Sequence, residues 1–170
     1  MKIGVIGGSG YAGAELLRLL AGHPEFEVCC VTAHTNAGEL ITSVHPQLSS
    51  YAHTKFSEFK VSDFDCCELI FLALPHGESA KVIAQLSAEV KIVDLGADFR
   101  LESPAKWAQY YGGDHAGSWT YGAPELPGAR EGIKRSSRVA NPGCYATAIA
   151  LGSAPAAQIA DLSDVVVVAA

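Results

Sequence analysis

Asn141-Pro142-Gly143-Cys144-Tyr145 places a cysteine after a tight turn and directly before the helix-prone run Ala146-Thr147-Ala148-Ile149-Ala150-Leu151. Helix N-termini carry unpaired N–H groups and partial positive charge, which favour a thiolate over a thiol, so a reactive nucleophile is expected at Cys144. Pro142 fixes the turn, Gly143 lets another group come close, and the amides that follow suit an oxyanion forming at the carbon a thiolate attacks. The inert alternative is a packed thiol, since free cysteine is commonly buried. A cysteine nucleophile needs a base, typically histidine. His23, His34, His45, His53, His76 and His115 all read as loop residues, and no spacing singles one out. His76, in Pro75-His76-Gly77, follows the C-terminal end of a strand, the side on which open α/β sheets bind ligands, and is placed near the site rather than as its base. Arg100, in Ala97-Asp98-Phe99-Arg100, is the best anchor for a carboxylate or phosphate, although a surface ion pair accounts equally well for a lone arginine.

The second constellation lies at the other end of the chain. Gly7-Gly8-Ser9-Gly10-Tyr11-Ala12-Gly13 follows the apolar run Ile3-Gly4-Val5-Ile6 and precedes Glu15-Leu16-Leu17-Arg18-Leu19-Leu20. Strand, glycine loop and helix in that order make a dinucleotide site: backbone without side chains approaches a pyrophosphate, whose charge then rests on the helix N-terminus. The bland reading is a structural turn. An acid after the second strand would hold a ribose 2′-hydroxyl and repel a 2′-phosphate; Thr32-Ala33-His34-Thr35-Asn36 offers donors instead, which favours NADP, unless these residues merely cap a loop. A dinucleotide fold that also presents a nucleophilic cysteine matches interconversion of an aldehyde with an acyl phosphate through an enzyme thioester.

The elements that must position these residues follow from periodicity. A first strand ends at Val5-Ile6, and a helix from Tyr11 to Ala21 carries Leu16, Leu17 and Leu20 on one face before Gly22-His23-Pro24 ends it. Strands are expected at Glu27–Thr32, Leu69–Leu74 and Val90–Leu95, with a helix over Glu78–Ser87. This βα rhythm argues for a doubly wound α/β fold with a mainly parallel sheet. Residues 100–138 read as irregular structure over the sheet, Arg138-Val139-Ala140 as a short strand delivering Cys144, and Val165–Ala170 as a further strand in need of partners.

With 170 residues, 49% of them hydrophobic and 18% charged, the chain can bury one substantial core. A net charge of −6 without basic clusters recommends neither nucleic acid nor an anionic membrane, and leaves a small soluble ligand as the expected partner. Four of the five cysteines form adjacent pairs, Cys29-Cys30 and Cys66-Cys67. They read as strand or pre-strand residues, and on a strand the members of a pair face opposite ways; packed thiols in a reducing cytoplasm are therefore expected, with no metal.

Taken in order, Gly7–Leu16, His45-Pro46, Phe71–Gly77, Asp94–Arg100, Tyr121–Leu126 and Asn141–Tyr145 resemble the successive motifs of the N-acetyl-gamma-glutamyl-phosphate reductases of arginine biosynthesis. The resemblance implies NADPH-dependent reduction of N-acetyl-glutamyl 5-phosphate to its semialdehyde, with Cys144 as the nucleophile that expels phosphate. It implies a Rossmann-type domain over residues 1–145 and, from 146 to 170, the start of an α+β domain whose remainder, with the base histidine, is absent. Candidate cofactor contacts are Gly7, Ser9, Gly10, Tyr11, Ala12, Gly13, Thr32, His34 and Pro75; candidate substrate contacts are Arg100, His76 and Asn141. A homo-oligomer is expected of the full-length protein. Gly96 departs from the serine expected there. The alternatives are an enzyme like the aspartate-semialdehyde dehydrogenases, which fit less well from Asp94 to Leu126, and a dinucleotide-binding module without catalysis. Tyr110, Tyr111, Tyr121 and Tyr145 lack the lysine four residues on that a short-chain dehydrogenase uses.

Overall fold

The computed structural model describes residues 1–168. Its first strand is β1 (Lys2–Ile6), an apolar interior strand flanked on one side by β2 (Glu27–Thr32) and on the other by β3 (Leu69–Leu72). Beyond β3 lie β4 (Lys91–Asp94), β6 (Arg138–Ala140) and, at the edge, β5 (Thr120–Tyr121), so the order is β2-β1-β3-β4-β6-β5 with every pair parallel. The chain runs outward from β1 to β2 and then returns to the opposite side for β3. This reversal opens a crevice at the C-terminal ends of β1 and β3, where sheets of this kind receive ligands.

Strict alternation sends the strand side chains to two separate cores. Ile3 and Val5 of β1 join Val31 of β2 and Leu17 and Leu20 of α1 (Tyr11–Ala21) on one face. Ile6, Ile70, Leu72 and Ile92 meet Phe64 and Val90 on the other. A strand buried on both sides needs helices or loops on both, which the parallel crossovers supply. The first core is closed by α2 (Ile41–Val44) and the 3₁₀ turn Ser49–Tyr51, which fill the stretch between β2 and β3. β2 is irregular: Ile3 pairs with Val28 but Gly4 pairs with Cys30, so Cys29 is the extra residue of a bulge. Val28 packs on the first core and Cys30 on the second, and the Cys29 sulfur reaches Cys67, a member of that second core. The expectation that Cys29 and Cys30 face opposite ways therefore fails, because the bulge breaks the alternation between them.

Other expectations are corrected by local hydrogen bonding. The helix expected over Glu78–Ser87 is α3 (Ser79–Ile83) alone; Gln85 and Leu86 donate to Val82 and Ile83 in tighter three-residue steps that end it. β3 and β4 stop at Leu72 and Asp94, short of the expected ends. Residues 100–138 are more ordered than expected, with α4 (Pro104–Tyr110), β5 and α5 (Ala129–Arg135). Ser103 caps α4 through its side chain, Pro104 occupies the first turn, and Trp107 anchors the helix at 3% exposure. α6 (Cys144–Ser153) follows β6. Val165–Val168 forms no strand, and Val166 and Val168 are exposed, since no ladder partner lies beside them among the described residues. Ala169 and Ala170 of that expected strand lie outside the described residues. No described helix is long and apolar enough to cross a membrane.

Candidate active site

The C-terminal edge of the sheet gathers both constellations. At the end of β1, Gly7 has φ +86°, and a Cβ there would lie 2.4 Å from the Ala73 carbonyl oxygen. The amides of Gly7 and Gly8 both donate to Thr32 O, at 3.0 and 2.8 Å. Gly13 packs the first turn of α1 on this loop: its Cβ would stand 2.5 Å from Gly7 O and 2.7 Å from Gly8 Cα. Gly10 differs, because a Cβ there meets nothing nearer than 3.9 Å. It precedes α1 without a side-chain cap, and Ala14 is the first residue of the helix to donate within it, to Gly10 O at 2.8 Å. The amides of Tyr11, Ala12 and Gly13 thus have no partner within the helix, the condition under which a helix N-terminus receives an anion, and Tyr11 is 97% exposed beside them. Ser9 is half-buried in the same loop. These residues fit a dinucleotide: the loop fills the space a Cβ would need, and donors face outward.

A cleft of about 620 Å³ runs from this loop between the ends of β1, β2 and β3. Gly7, Thr32, His34 and Pro75 line it, and so do Glu58 and Leu74, which the sequence did not single out. Thr32 is 2% exposed, with its carbonyl committed to the glycine loop, so its part is to hold that loop. Asn36 donates to Glu39 Oε1 at 3.2 Å and accepts from Thr35 Oγ1 at 3.2 Å, which leaves exposed His34 as the freest polar group at the end of β2. Glu39 is the acid that a search confined to the strand's end overlooks.

Cys144 is the first residue of α6 and is exposed. Its turn is stitched to the sheet: Asn141 N donates to Asp94 O at 2.8 Å, and Thr147 donates to Gly143 O through both its amide and its hydroxyl at 2.9 Å. Arg100 lies beneath it. Nε donates to Asn141 O at 2.7 Å and Nη2 to Leu95 O at 2.7 Å, while Nη1 sits 2.9 Å from where a Cβ on Gly143 would stand. Two of its three nitrogens therefore brace the nucleophile turn, and Nη1 alone is left for an anion. Asn141 also donates from Nδ2 to Pro142 O at 3.1 Å. On the far side of the turn a second cavity of about 370 Å³ is walled by Tyr121, Gly122, Glu125, Pro142, Thr147 and Leu151.

His76 is exposed in the loop between β3 and α3, edge-on to Tyr111 at 5.3 Å, and among the described residues no histidine hydrogen-bonds Cys144. His115 is engaged with Leu101 O at 2.7 Å. Two carboxylates build the loop that carries His76. Asp98, 1% exposed, accepts from Gly77 N at 2.7 Å and Ala80 N at 3.2 Å. Asp94, fully buried, accepts from Ser79 Oγ at 2.8 Å and Gly96 N at 2.9 Å, while its Oδ2 has no partner. Burial, above all, pushes the Asp94 carboxyl above its ordinary range; the Ser79 and Gly96 hydrogen bonds oppose the shift.

Comparison with known proteins agrees with this geometry. Residues 2–136 match the family described as semialdehyde dehydrogenase, NAD binding domain. All of the chain aligns at 56% identity with the N-acetyl-gamma-glutamyl-phosphate reductase of Salinispora tropica, covering 51% of that protein. Some 99% of it aligns at 53% identity with the reductase of the same name from Acidothermus cellulolyticus, covering 50%. The chain spans about half the length of the curated relatives it matches. Among solved structures, aspartate semialdehyde dehydrogenase with NADP from Candida albicans superposes with a TM-score of 0.56 at 18% identity, over 92% of this chain and 46% of that one. Aspartate semialdehyde dehydrogenase II complexed with ASA from Vibrio cholerae gives 0.55 at 16%, over 93% and 46%. At such identities the likeness is one of fold. With its glycine loop, doubly wound parallel sheet and residues 2–136 all in agreement, the chain belongs to the NAD-binding domain family of the semialdehyde dehydrogenases.

Proposed function

We propose that this chain is the cofactor-binding and nucleophile-bearing part of an N-acetyl-gamma-glutamyl-phosphate reductase, with residues 1–145 as the dinucleotide domain and residues from 146 onward opening the next. The observation that carries the reading is the position of Cys144: first residue of α6, exposed, on the same sheet edge as the glycine loop. The relatives at 46–56% identity favour this substrate class over aspartyl phosphate.

The Cys144 thiolate attacks the carbonyl carbon of the acyl phosphate. A C–S bond forms, the C–O bond to phosphate breaks, and phosphate departs with the electron pair, leaving a thioester. The amides of Tyr11, Ala12 and Gly13 would hold the pyrophosphate of a bound NADPH, which would supply the hydride that reduces this thioester. Collapse of the resulting thiohemiacetal breaks the C–S bond, frees the aldehyde and returns Cys144. Arg100 holds the turn in place and offers Nη1 to the substrate's anionic group, beside Asn141. His34 would donate to the 2′-phosphate that distinguishes NADP, and Pro75 lines the same cleft. The free cysteines fit a reducing cytoplasm, and the partner is a small acyl phosphate rather than nucleic acid or membrane. The full-length enzyme acts as a homo-oligomer.

The test is competitive alkylation with iodoacetamide, read cysteine by cysteine by mass spectrometry, with and without NADPH. Cys144 is expected to react fastest and to be altered in rate by NADPH. Reaction of Cys144 no faster than exposed Cys66, with no NADPH effect, would reduce the chain to a binding module.

A further inference from the structure

At the opposite edge of the sheet from Cys144, three sulfurs converge. Cys29 Sγ lies 3.3 Å from Cys67 Sγ and 3.8 Å from Cys66 Sγ, and all three are within 4.8 Å of one another. Among the described residues this is the one group of three metal-ligating side chains so close. Two departures from regular strand geometry and one missing side chain bring them together. The β2 bulge turns Cys29 onto the second core's face, where its thiol also touches Ile3 O at 3.3 Å. The 3₁₀ turn Val61–Phe64, continued by Cys67 N donating to Phe64 O, lets neighbouring Cys66 and Cys67 aim at one point instead of alternating. Between them lies β1, and there Gly4 has no side chain; a Cβ on it would come within 3.1 Å of Cys67 Sγ and 2.6 Å of Phe64. A bridge from β2 to the approach of β3 thus passes over β1 unobstructed.

We propose that Cys29, Cys66 and Cys67 form a three-thiolate site for a thiophilic d¹⁰ cation of the Zn²⁺ or Cu(I) class. A metal bound at ~2.3 Å to three sulfurs holds them about 4 Å apart, the spread already present. Soft thiolates select such ions over Mg²⁺ or Ca²⁺. Binding is a substitution without redox change: each thiol releases its proton to solvent as its metal–sulfur bond forms, and the metal keeps its oxidation state. Cys67 is buried while Cys29 and Cys66 are exposed, so the ion enters from solvent and its open side faces outward. Cys30 is not a ligand; its sulfur points to Ser57 Oγ at 3.9 Å.

The probe is Cd²⁺, followed by its thiolate-to-metal charge-transfer absorption in the Cys144→Ala chain, which removes the reactive thiol from the count. Saturation at one equivalent is expected, lost in both Cys29→Ser and Cys66→Ser and retained in Cys30→Ser. Both lost ligands are exposed, so the substitutions spare the core. A measurement without these variants accompanies it: on the unsubstituted chain, Cd²⁺ should protect Cys29 and Cys66 from maleimide while leaving Cys30 unchanged. Absence of a saturable band, a band that survives Cys66→Ser, or a Cys29–Cys67 disulfide that forms in air and leaves no metal affinity would each overturn the proposal.

Discussion

Gly10 and Gly13 are the same residue type in one loop, yet they are expected to fail differently. A Cβ on Gly13 meets the Gly7 carbonyl and Gly8 backbone, neither of which can rotate away. Gly13→Ala should therefore cost about 1–3 kcal/mol of stability, read as a lower urea midpoint. Gly10 has free space on its protein side. Gly10→Ala should leave the midpoint nearly unchanged and weaken NADPH binding, read by nucleotide fluorescence; equal stability losses in the two variants would contradict this division. Asp94 gives a pH signature. Its carboxyl is raised by burial, so the native state favours the neutral form more than the unfolded chain does. The associated stability is present below the ordinary carboxylate value of about 3.9 and is lost as pH rises through the raised native value. The urea midpoint of Asp94→Asn relative to the original should thus climb from roughly pH 4 upward and then level off. A pH-independent difference would show that Asp94 ionises normally. The glycine loop between β1 and α1 was legible in the sequence because spacing and flanking elements mark it. The Asp94–Ser79 and Asp98–Gly77 contacts were not, since nothing local in Asp94-Leu95-Gly96-Ala97-Asp98 says that both carboxylates turn inward to α3.

Elements with strong periodicity were read to their true limits: β2, α1 and β6 run as expected. α4 was overlooked, although Ser103-Pro104 is a start signal, because aromatic residues and the glycines after it suggested a loop. The bulge in β2 was illegible for a different reason, since it is fixed by pairing with β1 and not by β2 alone. Arg100 acts at this scale too, joining the ends of β4 and β6 through two carbonyls. Arg100→Met keeps much of the side chain's bulk but frees Asn141 O and Leu95 O. Cys144 alkylation should then lose its NADPH dependence while far-ultraviolet circular dichroism is retained; an unchanged dependence would deny Arg100 its bracing role.

On the whole molecule, apolar residues collect at one end. Tyr145 and Ile149 of α6 are exposed, no residue of that helix is buried, and they line one apolar surface with Val165, Val167 and Val168, at 52%, 52% and 90% exposure, while Val166 in the same run is 86% exposed. Contiguous apolar surface of this kind seeks cover. The chain on its own is expected to associate as its concentration rises in sedimentation velocity, and Val166→Lys with Val168→Lys should reduce that association; a monomer at every concentration would contradict the expectation. The strand order also has a consequence for synthesis on the ribosome. β1 and β2 emerge early and can pair as soon as α1 has formed, but the other side of β1 belongs to β3, which arrives after the long segment that builds α2 and the 3₁₀ turns. At about 5–20 residues per second, the nascent chain holds a strand that will be interior to its sheet as a bare edge for a few seconds. In that interval Ile3, Val5 and Ile6 are open to mispairing, and a trigger-factor-like holdase has its best opportunity to bind there.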